Sequence, residues 1–154
     1  MQGNIKGVAT RIQEVEPSAI HVHYLAHCLN LCLQDVAKQC SLVRDALDIV
    51  NEILKLIKNS PKRSEVFKSI KADECPDTPQ LRKLCPTRWT MRTASIDSIL
   101  KNYGALISAL EEIYNGNDEH AGRAGGLKTS MEKFSTFFSL KLSHFLFAAS
   151  EQLS

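Results

Sequence analysis

The chain has 154 residues, of which 44% are hydrophobic and 23% are charged, and its formal net charge at pH 7 is +2. This length suits one domain or a piece of one, and the composition argues against an intrinsically disordered chain. No apolar run reaches the roughly 18 residues of a membrane span, and residues 1–6 lack the apolar core of a secretory signal. We therefore expect an intracellular protein without a membrane partner, whose five cysteines are reduced thiols.

The charge is unevenly distributed along the chain. Residues 1–54 carry four Lys or Arg against six Asp or Glu, residues 55–92 carry ten against four, and residues 93–154 carry five against seven. The basic middle is therefore the candidate contact region for a polyanion. The alternative is a solvated basic surface with no partner, which is the commoner meaning of a run of charge.

The first forty residues combine helical and alternating patterns. Apolar residues at spacings of four and three predict a short amphipathic helix that the turn at residues 16–18 ends: Val8, Ile12 and Val15. Residues 19–25 are short, β-branched and alternating, which predicts a strand. The spacing becomes helical from about residue 27.

The middle of the chain has clear helix boundaries. Apolar residues three or four apart from Leu29 to Ile57 predict two successive helices, with Ser41 as a candidate N-cap of the second. Ser60 followed by Pro61 predicts the start of the next helix. Residues 72–86 hold three of the five prolines and predict a loop.

The last third is predicted to be helical as well. Apolar residues from Trp89 to Tyr114 predict one long amphipathic helix that stops at Asn115 and Gly116. The glycine-rich residues 116–126 predict a flexible loop, and the aromatic segment after it predicts one or two final helices. The fold class is therefore mainly α with one short strand.

Two constellations are candidates for chemistry. His23 and His27, like Cys28 and Cys32, are four residues apart and thus spaced to ligate zinc. However, the two pairs abut and face different sides of a helix, which favours a hydrogen bond from His27 at the strand-to-helix junction. No cysteine has a neighbourhood that suggests an oxyanion hole. We predict no metal site, no catalytic residue and no small-molecule substrate.

A second kind of site is suggested by Arg88 and Trp89. The tryptophan is either a core anchor beside a snorkelling arginine or a platform on which an unpaired base stacks, next to a guanidinium that binds phosphate. Thr87 or Thr90 caps the helix on either interpretation. Three further basic residues complete the candidate nucleic-acid-binding set: Lys62, Arg63 and Arg92.

The stretch from Lys6 to Leu31, the motif Cys85-Pro-Thr-Arg-Trp89 and the helix containing Leu100 together resemble the hAT superfamily of DNA transposases. The sequence is most similar to its transposase-derived members, the MYM-type zinc finger protein 1-like and THAP-type repressor-like proteins. The resemblance implies a ribonuclease-H-like core that a large helical insertion interrupts. Residues 1–40 would then end the first half of that core, and residues 41–154 would form the insertion domain.

The same resemblance implies what the chain does. The family's divalent metal is held by two aspartates and a glutamate, all three of which would lie outside this chain. We therefore expect an internal fragment of a domesticated or decayed transposase that is not an enzyme, has no cofactor of its own, is nuclear, and retains binding to DNA. The family's Cys-x-x-His pattern falls on Tyr24 and His27, so its cysteine is replaced. The family's other conserved positions are matched here: Leu29, Asn30, Leu31, Arg88 and Trp89.

Two alternatives remain at the level of sequence. The chain is either a helical interaction module whose last helices bind a partner or another copy, or a truncated gene product with no function of its own. The interaction module would use five phenylalanines: Phe134, Phe137, Phe138, Phe145 and Phe147. Salt separates binding to phosphate, which falls steeply with ionic strength, from apolar association, which does not.

Overall fold

The computed structural model describes residues 7–19, 28, 31–32, 35, 38–84, 90–116 and 119–151, without the side chains of residues 9, 90, 91 and 150. Within these residues it contains helices and no strand, which confirms the prediction of a mainly α chain. The helices are α1 (Val8–Val15), α2 (Ser41–Lys58), α3 (Pro61–Glu74), α4 (Thr90–Lys101), α5 (Tyr103–Asn115), α6 (Ala121–Met131) and α7 (Phe134–Glu151).

The strand predicted at residues 19–25 lies outside the described residues, apart from Ala19, which is irregular. Cys28, at the start of the segment predicted to be helical from about residue 27, is helical. The ribonuclease-H-like core and the domain boundary after residue 40 stay predictions.

The central helix is α2, which contacts α3, α4, α6 and α7. Its apolar side chains recur every three or four residues, so one wide stripe of the helix is apolar and can be buried on several sides. The buried residues of α2 are Val43, Ala46, Val50, Ile53, Leu54, Leu56 and Ile57. Helix α5 adds a second buried stripe against α3 and α6, and α7 packs on α2 and α4.

Helix boundaries follow the sequence signals in part. Ser60 is the N-cap of α3, its hydroxyl accepts from the Arg63 N–H over 3.4 Å, and Pro61 is the first helical residue, as predicted. Ser41 does not cap α2: Cys40 is the N-cap and Ser41 is the first helical residue. The short helix before residues 16–18 is confirmed as α1, with its apolar residues Val8, Ile12 and Val15 exposed.

Three boundary predictions are wrong. The single helix expected up to Tyr114 is divided at Asn102 into α4 and α5. The loop expected at residues 72–86 begins later, because α3 continues to Glu74. The flexible loop expected at residues 116–126 ends early, because α6 begins at Ala121 despite its three glycines.

Helix α6 forms because its packing outweighs its weak helix propensity. It packs extensively on α5, and a Cβ at Gly125 would lie 2.6 Å from Cδ2 of Tyr114. Glycine at this position therefore lets the Tyr114 ring approach the α6 backbone. At Gly122 and Gly126, by contrast, a Cβ would meet no atom within 4 Å.

None of the helices described here has both the length and the hydropathy needed to cross a bilayer.

This packing predicts opposite effects for two neighbouring glycines. Gly126→Ala should raise the free energy of unfolding by about 0.5–1 kcal/mol, because alanine restricts the unfolded chain and favours helix. Gly125→Ala should lose that gain and destabilise the fold, since its methyl group displaces the Tyr114 ring. Urea denaturation of both variants measures the difference. Equal stabilities would contradict the close approach, and Tyr114→Ala in the Gly125→Ala background should remove the penalty.

Candidate nucleic-acid interface

A buried asparagine attaches the loop at residues 75–84 to the junction of α4 and α5. Asn102 is fully buried, and its Nδ2 donates to the carbonyls of Pro79 at 2.9 Å and Ser98 at 2.7 Å. The Thr78 hydroxyl lies 2.6 Å from Asn102 Oδ1, and Cys75 Sγ lies 3.7 Å from the same oxygen. The side chain thus donates to one loop carbonyl and turns its oxygen to two loop side chains, in a segment that forms no helix.

Two buried serines continue this attachment along α4. Ser95 and Ser98 precede Asn102 at spacings that place all three on one side of the helix. The Arg82 backbone N–H donates to Ser98 Oγ over 3.2 Å, and Ser95 Oγ donates to the Lys83 carbonyl over 2.9 Å. The backbone at residues 82–83 is therefore held against α4, with the Arg82 and Lys83 side chains exposed.

Two cations of the basic middle are buried in the fold. Arg63 and Lys71 are 7% and 6% exposed. Arg63 Nε donates over 2.6 Å to the carbonyl of Leu56, in the last turn of α2, where helix carbonyls lack intrahelical donors. Lys71 Nζ donates over 3.3 Å to the Pro76 carbonyl. These two charges stabilise a helix end and a turn. A partner can therefore contact fewer than the ten cations that residues 55–92 contain.

Lys58 joins the same framework but remains partly accessible. Its Nζ donates over 2.6 Å to the Leu81 carbonyl. Burial lowers the pKa of the Lys58 ammonium from its ordinary value of 10.5, and the nearby charge of Lys83 lowers this pKa further. The unfolded chain holds this proton more tightly, so the Lys58 contribution to stability increases as the pH rises through the lowered pKa toward 10.5. Lys58 and Lys83 together therefore concentrate positive charge at this place.

Four lysines surround the contact between α2, α3 and the loop, and we call them the lysine surface: Lys55, Lys58, Lys68 and Lys83. Two shallow cavities adjoin there, of about 160 and 300 Å³, and both are lined by Lys58 and Lys83. Lys55 lines the first cavity and Lys68 the second.

Carboxylates neutralise only part of this surface. Lys55 pairs with Glu52 at 3.6 Å and Lys68 with Glu65 at 2.8 Å, both in exposed geometries where ion pairs are weak. Glu52 also accepts from Arg123 of α6, and this hydrogen bond holds the pKa of the Glu52 carboxyl below its ordinary value. Within the described part of the chain, neither Lys58 nor Lys83 has a carboxylate partner. Lys58 and Lys83, at the centre of the surface, are thus the two lysines best placed to bind an external anion.

The basic residues predicted for the site are distributed differently from the lysine surface. Arg88 and Trp89 lie outside the described residues, and Arg63 is buried. Lys62 is exposed in the first turn of α3, and the Arg92 guanidinium lies 5.7 Å from the Phe147 ring centroid. Neither lines the two cavities. The uneven charge of the sequence indicated the basic middle, which contains the lysine surface, but not which four lysines form it.

The family-motif residues are only partly described. Leu31 is helical and 46% exposed, while His27, Leu29 and Asn30 lie outside the described residues.

The residues considered for metal or acid–base chemistry do not converge where they are described. Cys28, Cys32, Cys40 and Cys75 are free thiols. The described residues contain no group of three or more His, Cys, Asp or Glu that could hold a metal ion, whereas His23 and His27 lie outside them. Glu111 and Glu112 are exposed.

The aromatic C-terminal helix is exposed on one side only. Phe134, Phe137, Phe138 and Phe145 are exposed, as the interaction-module alternative requires. Phe147 is 1% exposed and belongs to the core, so its inclusion among the exposed aromatic residues was wrong. It lies two residues beyond Phe145, about 200° around the helix, which places it on the opposite face.

No protein-family model matches this chain, and no solved structure matches it significantly. The resemblance to hAT transposases therefore stays a prediction from the sequence motifs.

The attachment of the loop predicts a large loss from one buried amide. Asn102→Ala should lower the free energy of unfolding by roughly 2–4 kcal/mol, because it removes the side-chain donor of the Pro79 and Ser98 carbonyls. Asn115→Ala, at the exposed end of α5, is the matched control and should change stability by less than about 0.5 kcal/mol. Urea denaturation compares the two, and similar effects would show that Asn102 does not hold the loop.

Proposed function

We propose that this chain binds nucleic acid through phosphates contacted by the lysine surface. The observation that carries the proposal is the pairing of Lys58 and Lys83, two neighbouring ammonium groups without a described carboxylate partner, at the border of two cavities. A phosphate placed between them would relieve their mutual repulsion. An anion beside the partly buried Lys58 would also stabilise the charged ammonium form, which burial disfavours.

The chemistry of the surface favours contact with the backbone of nucleic acid over reading of bases. Lysine is a flexible point charge with donors only, so it recognises a phosphate without fixing a base edge. Four lysines, two of them sharing their charge with glutamates, support weak binding that falls steeply with salt.

The adjoining motif extends the proposal to unpaired bases. Arg88 lies five residues after Lys83, so the two can be separated by no more than roughly 18 Å of extended chain. Within that reach, one nucleic-acid end can meet the lysine surface and also stack a base on Trp89. We propose this arrangement for a DNA hairpin or single-stranded end, because such an end offers an unpaired base that can stack on an aromatic ring.

The same resemblance supports the rest of the proposal. The chain would be a catalytically inactive part of a domesticated or decayed transposase, working in the nucleus without a cofactor of its own. The apolar cluster from Val43 to Phe147 favours a chain with a stable fold, as opposed to a truncated product without one.

Salt dependence tests the function directly. Binding of a fluorescent hairpin DNA should weaken as salt rises, and Lys83→Gln should reduce the slope of log K against log salt by about one. Lys133→Gln removes the same charge at an exposed site between α6 and α7 and should leave the slope unchanged. Anisotropy titrations at several salt concentrations measure both variants.

Equal slopes for the two variants would place the binding elsewhere on the chain. Absence of hairpin binding at low salt would contradict the proposed function altogether.

A further inference from the structure

Helix α7 exposes a narrow row of large side chains, which we call the aromatic ridge: Phe134, Phe138, Lys141 and Phe145. Their spacings of four, three and four residues place them within about 60° of one another around the helix. The three phenylalanines are 77%, 47% and 69% exposed. The opposite face of α7 buries Leu140 and Phe147 in the core, so the ridge is held on a rigid support.

The ridge is ordered by its own contacts. The Phe134 and Phe138 rings stack with centroids 6.2 Å apart and an angle of 27° between their planes. Lys141 Nζ lies 5.6 Å from the Phe137 ring centroid, so its ammonium already rests on an aromatic face. An ordered apolar row costs little further side-chain entropy when it is covered.

We propose that the aromatic ridge pairs with the same ridge of a second copy of this chain, with the two α7 helices antiparallel. The spacing four, three, four is symmetric about the midpoint between residues 139 and 140. Antiparallel pairing therefore places Phe134 opposite Phe145 of the second copy and Phe138 opposite its Lys141. Each contact occurs twice, as a two-fold interface requires.

Charge selects this orientation. In the antiparallel pair, each Lys141 faces a phenylalanine ring, which attracts an ammonium group. In a parallel pair, Lys141 would face its own copy and the two charges would repel. With three phenylalanines and one lysine in the row, a second copy places an aromatic ring opposite every ammonium group without any other partner.

The small area places the pair among weak contacts. Taking about 200 Å² for each phenylalanine, the exposed parts of the three rings offer roughly 400 Å² per copy. The pair would cover roughly 800 Å², below the 1,200–2,000 Å² or so of stable complexes. The dimer is therefore weak, with a dissociation constant in the micromolar range or above. It does not depend on nucleic acid or on the lysine surface.

Sedimentation velocity over concentrations from about 10 to 500 µM tests the pairing, because a weak dimer dissociates within this range. Self-association should be detectable for the unmodified chain, and Phe145→Glu should weaken it at least about tenfold. Val15→Glu, at an exposed apolar residue of α1, is the matched control and should leave it unchanged. Circular dichroism melting checks that both variants fold, since both side chains are exposed.

A cross-linking experiment tests the orientation. Phe134→Cys and Phe145→Cys chains are mixed, oxidised and digested, and the disulfide-linked peptides are identified by mass spectrometry. The proposal predicts a link between positions 134 and 145. A link between two copies of position 134 would overturn the antiparallel arrangement. A monomer at every concentration, or loss of self-association in Val15→Glu, would overturn the pairing of the ridges itself.

Discussion

The buried carboxamide of Asn102 is the interaction on which the arrangement of this protein depends. Its Nδ2 donates to the Ser98 carbonyl, and the Asn102 backbone N–H donates to the Ile99 carbonyl over 3.2 Å. Helix α4 therefore ends there. The same carboxamide lies within hydrogen-bond distance of the Thr78 hydroxyl and donates to the Pro79 carbonyl. One side chain thereby separates two helices and fixes a proline-containing loop on their junction.

The lysine surface is a consequence of that attachment. The loop reaches Lys83 with its backbone bonded to α4, and Leu81 accepts from Lys58 at the end of α2. Two like charges from distant parts of the chain are thus brought together, while Arg63 and Lys71 are used to satisfy backbone carbonyls. Charge in this region has two roles: part of it satisfies the backbone, and the lysines around the two cavities remain accessible.

The sequence predicted the parts of the fold that local chemistry determines. Apolar spacing located α1 and α2, and the Ser60-Pro61 pair located the start of α3. It failed at Asn102, because the apolar pattern continues across a break that a distant loop imposes. It failed again at α6, where three glycines indicate flexibility locally, although one of them, Gly125, permits close packing against Tyr114. The pairing of Lys58 with Lys83 joins α2 to a loop, and no local pattern encodes it.

The most direct measurement is an NMR titration of the Lys58 side chain in the folded protein. Lys58 should titrate below the ordinary lysine pKa of 10.5, and Lys83→Gln should raise this pKa by removing a neighbouring charge. Inorganic phosphate should raise the same pKa in the unmodified chain, because an anion between the two ammonium groups favours their charged forms. A Lys58 pKa at its ordinary value that neither change moves would show that the Lys58 and Lys83 ammonium groups are not paired.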